Sequence, residues 1–300
     1  MLRKTVALLC MLLLLIGCRP VTLDDDEGKK FSILSYRGAP ALSVLSLVNE
    51  GYDIQTSTSV DTFVHSFEDG KFDILIAPVN VGVDSYNSNQ NYRMLAVIGF
   101  GNSYLVADKE NYGSGNVGAY GPNTVGGKLI NYLSDINLKN YNIVWYDSPS
   151  QLEKAMIDGE ISAAIVDEIT FNKLNDSQDK EFFKIEDLRA DYEYETKYGR
   201  YPEFAIFVRN DLIEKNQNDI VALAKKIKSG INTYKTDKTT FNNVLENTDV
   251  TRLGFDDYTL IRESYNYCGL DYVNASSCYD EIAAILELCE VELSKAVIIE

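Results

Sequence analysis

Few residues in this chain of 300 carry groups able to make or break bonds. His65 is the only histidine; it lies between Val64 and Ser66 in a stretch of helical spacing, where a surface residue is expected and not a general base or metal ligand. No Gly-x-Ser-x-Gly elbow, phosphate-cradling Walker loop or His-Glu-x-x-His pair occurs. Gly113-Ser114-Gly115 looks like part of a dinucleotide loop, but it precedes a strand where such a loop must follow one, so it reads as a turn. Asp167-Glu168 sets two carboxylates side by side, yet neighbours on a strand face opposite ways. The inventory reads as that of a non-enzyme with no cofactor and no metal site.

The same residues are better suited to holding a molecule. Arg37 can grip a carboxylate, sulfonate or phosphate through two parallel bonds, or pair with an acid on the surface. Glu168 favours an amine or a ring N–H, and the two together point to a zwitterionic or heteroaromatic solute. The hydroxyls of Ser57, Thr58, Ser59 and Thr124 stand where helices begin; they cap those helices and can also donate to a ligand. Of twenty tyrosines, Tyr36, Tyr104, Tyr120 and Tyr146 fall near strand ends, where a ring either packs or stacks on a planar ligand.

The elements that must position these groups alternate short apolar runs with amphipathic stretches from Phe31 onward, the pattern of an α/β protein with mostly parallel sheets. Strands are expected at 32–35, 52–56 and 72–77, with helices from Pro40 through Val48 and over 60–68. Asp69-Gly70 ends the second helix, since glycine tolerates the left-handed conformation of a helix end. An echo follows: Asp158-Gly159 and the apolar run 161–166 repeat Asp69-Gly70 and 72–77 at the same spacing, after a helix expected at 151–157. Ligands of open α/β sheets bind beyond the carboxyl ends of the strands, near helix N-termini. That places candidate contacts at Arg37, Gly38, Ala39, Pro40, Ser57, Thr58, Pro78 and Asn80 in one unit and at Tyr120, Gly121, Asn123, Thr124, Ser148, Asp167 and Glu168 in the other, with Tyr104 a further candidate.

The run 92–107, with Gly99-Phe100-Gly101 at its middle, suits a strand leaving one lobe for the other, and 204–208 suits the return. Residues 212–300 read as almost wholly helical, and 192–201 as a solvated turn. The division is 31–107 with 204–300 as one lobe and 108–203 as the other, the ligand lying between them.

The N-terminus has its own chemistry. Arg3 and Lys4, a short apolar run and Leu15-Ile16-Gly17-Cys18 read as a signal peptide over 1–17 with Cys18 as the lipidated residue; the run is well short of the ~20 residues that span a bilayer. Residues 18–30, with Asp24-Asp25-Asp26-Glu27, read as a flexible tether. The net formal charge of −17 repels nucleic acid. Cys268, Cys278 and Cys289 remain; a Cys268–Cys278 disulfide is open, as their connectivity cannot be read from spacing.

Five motifs in order carry a family resemblance: Arg37-Gly38-Ala39-Pro40-Ala41, Phe72-Asp73-Ile74-Leu75-Ile76-Ala77-Pro78-Val79-Asn80, Leu95-Ala96-Val97, Tyr120-Gly121-Pro122-Asn123-Thr124, and Pro202-Glu203-Phe204-Ala205-Ile206-Phe207-Val208. Together they resemble the ABC-transporter solute-binding lipoproteins of the type 2 periplasmic-binding fold, the group with sulfonate, nitrate and thiamine-pyrimidine-precursor binders. Asp167-Glu168-Ile169 departs from the Pro-Glu-Pro turn frequent in that family, and only Glu168 keeps its match. The resemblance implies two lobes, each a mostly parallel sheet flanked by helices, joined by a two-strand hinge. It also implies a monomer outside the cytoplasm, anchored to a membrane by its lipid, that closes on a small organic solute and delivers it to an ABC permease. The alternative is a surface receptor or adhesin that kept the fold without transport.

Overall fold

The structure, a computed structural model, describes residues 28–109, 115–176 and 180–300. The signal segment, Cys18, most of the tether and Gly113-Ser114 lie outside the described residues. No helix among the described residues is long and apolar enough to cross a membrane.

Along the chain run β1 (Ser32–Tyr36), α1 (Ala39–Leu42), β2 (Asp53–Ser57), α2 (Val60–Asp69), β3 (Ile74–Pro78), α3 (Val79–Asn89) and β4 (Tyr92–Phe100). Then come β5 (Ser103–Asp108), β6 (Asn116–Tyr120), α4 (Val125–Ser134), β7 (Asn142–Tyr146), α5 (Pro149–Ile157), β8 (Ala163–Asp167), α6 (Glu168–Asp176), β9 (Phe182–Asp187) and α7 (Leu188–Thr196). The last stretch holds β10 (Pro202–Arg209), α8 (Asn210–Lys215), α9 (Gln217–Thr236), α10 (Lys238–Glu246), α11 (Tyr258–Ser264), β11 (Leu270–Asn274) and α12 (Tyr279–Leu288).

These strands form two sheets, in the orders β11-β4-β10-β3-β1-β2 and β7-β6-β8-β5-β9. In the first, β1 lies parallel between β2 and β3, and alternate residues serve opposite faces: Leu34 and Leu75 enter one apolar cluster, Ile33, Ile74 and Ile76 another. A sheet covered on both faces needs such unbroken apolar runs, which is why these strands read so clearly. In the second sheet β6 lies parallel between β7 and β8. β10 runs antiparallel beside β3 as β5 does beside β8, so the two sheets share one plan, each completed by a strand from across the crossing. Gly70 and Gly159 both end their helices with positive φ, 65° and 75°, as the echo between them implies. The chain has the expected α/β architecture of two lobes, each a sheet with a parallel centre flanked by helices.

Four expectations change. The helix through Val48 stops at Leu42 and a 3₁₀ turn, Leu45–Glu50, follows, because the Ser43 and Val44 amides bond carbonyls three residues back and the Ser43 hydroxyl donates to the Pro40 carbonyl at 2.7 Å. The run 92–107 is two strands, parted at Gly101-Asn102, so that β4 and β5 belong to different sheets. The helical C-terminal region is interrupted by β11, whose alternating burial lets it pair antiparallel with β4. Residues 192–201 are no solvated turn: Tyr192 ends within α7, and Tyr192 and Tyr201 are both fully buried, ring to ring at 5.2 Å.

The crossing is tight. Gly101 N donates to the Tyr201 carbonyl at 3.1 Å, and a Cβ on Gly101 would stand 1.6 Å from Tyr201 Cζ. Tyr201 is enclosed and cannot swing aside. Gly101→Ala is expected to cost roughly 1–3 kcal/mol through overpacking, read as a drop of several degrees in calorimetric melting; an unchanged Tm would show that the crossing has slack.

Candidate ligand-binding cleft

The crossing draws the carboxyl ends of both sheets together around a cavity of about 50 Å³. Tyr36, Arg37, Ala39 and Pro40 line it from the end of β1, Tyr120 and Thr124 from the end of β6, and Asp167 from the end of β8. Asn102, Ser103, Glu203 and Phe204 line it from the crossing itself, and Cys268 closes it beside β11.

Each polar group is placed by local rules. Gly38 has φ 97°, a backbone that a side chain would strain, and its open side lets Asp167 Oδ2 approach to 3.8 Å from where a Cβ would lie. Asp167 caps α6: its Oδ1 accepts from Thr170 N at 2.8 Å. Thr124 caps α4, accepting from Gly127 N at 3.2 Å and donating to the Gly121 carbonyl at 2.8 Å. Glu203 reaches the same helix end, with Oε1 3.0 Å from the place a Cβ on Gly126 would take. Asn102 is 4% exposed, and its Nδ2 has no hydrogen-bond partner.

The electrostatics follow from this enclosure. Burial, and then the neighbouring Asp167 carboxylate, push Glu203 up to about 8. Burial also raises Asp167, against the lowering effect of its bonds from Thr170. The phenols of Tyr36 and Tyr120 are pushed up by burial first and then by neighbouring charge, including both carboxylates. Among the described residues lining the cavity, Arg37 is the one cation. Its side chain is exposed at the rim and lies over Gly254, with Nε 2.6 Å from where a Cβ would stand. Among the described residues it makes no ion pair, so the surface pairing open to it in the sequence is formed with none of them.

Of the remaining candidates, several stand beside the cavity and not on it. Asn80 is buried and its Nδ2 donates to the Asn123 carbonyl at 2.8 Å, a bond between the lobes, while Pro78 is buried at the start of α3. Gly121 holds the turn before α4 with φ 70°. Ser57 and Thr58 lie outside the lining, the Ser57 hydroxyl accepting from Ser59 N at 3.1 Å, and Ser59 caps α2. Tyr104 and Glu168 face the interior of the second lobe: Tyr104 OH accepts from Arg189 at 3.0 Å, and the nearly enclosed Glu168 pairs with Lys184. Asp167, its neighbour and the last residue of β8, takes the cleft side, while Glu168 already belongs to α6. Ser148 caps α5, and Tyr146 belongs to the cluster behind the second sheet. His65 stands exposed on α2, with Nδ1 3.6 Å from Glu68.

Glu203 and Asn102 were not singled out as contacts in the sequence. Glu203 sat in view at the head of the apolar run 204–208, where a lone acid between Pro202 and Phe204 at a crossing is the available signal. Cys268, Cys278 and Cys289 are free and buried, Cys268 in a different apolar cluster from the other two. Among the described residues no group of three or more His, Cys, Asp or Glu could hold a metal ion.

With this geometry the chain is similar to the crystal structure of an ABC transporter from Parabacteroides distasonis, at 15% identity over 90% of this chain and 95% of that one, TM-score 0.73. It is also similar to the periplasmic aliphatic sulphonate-binding protein from Escherichia coli, at 8% identity over 87% of each chain, TM-score 0.62. The periplasmic nitrate-binding protein from Synechocystis PCC 6803 is similar at 10% identity over 90% of this chain and 84% of that one, TM-score 0.60. No family model and no curated protein matches the sequence. At such identities the likeness is one of fold: the chain has the two-lobed type 2 periplasmic-binding fold that its motifs resemble.

Two substitutions test the roles assigned here. Between the ordinary carboxylate value of 4.5 and about 8, folded Glu203 keeps a proton that the unfolded chain gives up, so its contribution to stability falls as pH rises through that window. Glu203→Gln should therefore melt above the unsubstituted chain at pH 9, the gap narrowing as pH falls toward 5; parallel melting curves would refute the assignment. Lys184→Met leaves the buried Glu168 without its cation and should cost about 3–5 kcal/mol in denaturant unfolding, whereas a loss under about 1 kcal/mol, the worth of a surface pair, would show Glu168 to be solvated.

Proposed function

We propose that this chain is an extracytoplasmic solute-binding lipoprotein of an ABC importer, which captures a small organic solute between its lobes and delivers it to a membrane permease. The observation that carries the reading is the cavity at the carboxyl ends of both sheets, lined from both lobes and from the crossing that joins them. A ligand that touches both lobes only when they are shut binds the shut state better and so drives closure. The names of the similar structures, an ABC transporter and periplasmic sulphonate- and nitrate-binding proteins, support a binding role in import. The proposed lobes are 31–107 with 204–300 and 108–203; the chain changes sheet a few residues away, near Gly101 and Tyr201, so β5 pairs within the second sheet and all of β10 within the first. Cys18 is the proposed lipid site and the monomer the proposed working unit, the tether holding it near the permease at high effective concentration.

The small volume of the cavity, about 50 Å³, favours a second reading, a surface receptor or adhesin that kept the fold and fills its own cleft. Small-angle scattering of the full chain in detergent, across a broad solute panel, separates the two. Capture requires at least one solute that lowers the radius of gyration; no compaction with any solute, together with binding to a protein, would establish the receptor. For the anchor, Cys18→Ser should abolish incorporation of labelled palmitate and release the chain from membranes. Retention of label would place the lipid elsewhere.

A further inference from the structure

Helix N-termini attract anions, since their free N–H groups and dipole present partial positive charge. Two helices of eight or more residues begin at this cavity, and the protein's own side chains already answer both, the Thr124 hydroxyl accepting from Gly127 N at the head of α4. Asp167 Oδ1 takes the Thr170 amide at the head of α6, and Glu203 lies against Gly126 at the head of α4. An incoming anion would find those helix-end amides taken and two carboxyl groups beside them. Arg37, the one cation among the described lining residues, stands exposed at the rim. A second observation, from a different group, points to a ligand that also carries an acceptor. Asn102, 4% exposed and lining the cavity, holds its amide nitrogen without a partner, and a buried donor left unpaired is costly unless something in the cavity accepts from it.

We propose that the cleft selects a compact cation, a solute with a protonated amine or amidine whose N–H groups face Asp167 and Glu203 and whose acceptor atom faces the Asn102 amide. The inference rests on the capture reading and deepens it by naming the class of solute. Glu203 is faced by Asp167 from the end of β8, Tyr36 from β1, Tyr120 from β6, Tyr201 from the crossing and the Gly126 end of α4, with Arg37 at the rim. Of these, Glu203 holds its proton to about 8, and Asp167 is raised from its ordinary value, chiefly by burial. A bound cation favours the ionised carboxylates, so binding at neutral pH expels a proton and tightens as pH rises, levelling above 8.

The test is calorimetry and scattering on the full chain in detergent. The probes are acetamidinium and ethanolammonium, neutral acetamide as the shape control for the first, and nitrate and methanesulfonate as anions. Acetamidinium should bind with release of about one proton at pH 7, seen as a buffer-dependent heat, and tighten by nearly tenfold per pH unit between pH 6 and 7. Acetamide should bind at least roughly tenfold more weakly, and Asp167→Asn, which keeps an oxygen for the α6 cap, should weaken acetamidinium by roughly 10- to 100-fold. Glu203→Gln should remove the pH slope, and Asn102→Ala should weaken ethanolammonium, which carries an acceptor, more than acetamidinium. Melting curves establish that each variant is folded, and Asp167→Asn and Asn102→Ala carry the test if Glu203→Gln is not. Compaction by nitrate or methanesulfonate but by neither cation overturns this inference and leaves the capture reading standing. Compaction by acetamide with acetamidinium's affinity does the same. If no probe and no solute of the broad panel compacts the chain, both readings fall.

Discussion

The chain passes between its two sheets twice, and the two passages are bound side by side from Gly101 N to the Tyr201 carbonyl. Much else follows from that constraint. Each passage delivers a strand that runs antiparallel to the third parallel strand of the sheet it enters, so Ser103 begins opposite Asp167 and Phe204 lies opposite Pro78. Both crossings therefore sit at the carboxyl ends of the parallel strands, and those ends must face each other. The helices that follow β6 and β8 present their N-termini to the same space, because a helix continuing from a parallel strand starts where the strand stops. Convergence of polar groups at the cleft is thus a product of connectivity, before any one side chain is chosen.

Connectivity explains the place of the site but not its charge. Donors at helix ends would ordinarily make such a cleft receptive to anions. Here Asp167 and Thr124 take those donors from within, Glu203 stands beside the Gly126 end of α4, and both carboxyls are raised, chiefly by burial. Asp167 is compensated in part by its bond from Thr170. Among the described residues Glu203 has no cation paired with it, which makes it the less well supported of the two.

What was legible in the sequence follows the same division. Local signals survived: Gly70 and Gly159 end their helices, Ser59, Thr124 and Ser148 cap theirs, and the strands buried on both faces stood out as apolar runs. The turns at Arg37 and Tyr120 were found because strand-to-helix turns announce themselves in a few consecutive residues. Glu203 escaped because its role depends on Gly126, which only the folded crossing brings near. Asp167 and Glu168 were both candidates, but which one faces the cleft turns on where β8 ends, a boundary that pattern fixes only to within a residue or two. Leu270 to Asn274 read as helix because a short strand paired with a distant partner leaves little periodic signal.

Closure of the lobes can be weighed from the contacts across them. Polar bonds between lobes include Asn80 to the Asn123 carbonyl and Asn172 to the Ser264 hydroxyl, each at 2.8 Å, and Ile169 enters the apolar cluster of the first lobe. Neutral hydrogen bonds contribute about 1 kcal/mol each, so such bonds hold the lobes together only modestly. Against them stands the desolvation of two carboxylates, which closure imposes and hydration would relieve. When both are ionised, they repel each other and favour opening. On the proposed capture reading, a proton or a cation in the cavity removes that repulsion, so the carboxyls that line the cleft also bias the hinge. On that reading, the selection of a solute and the balance between open and shut lobes rest on the same two side chains.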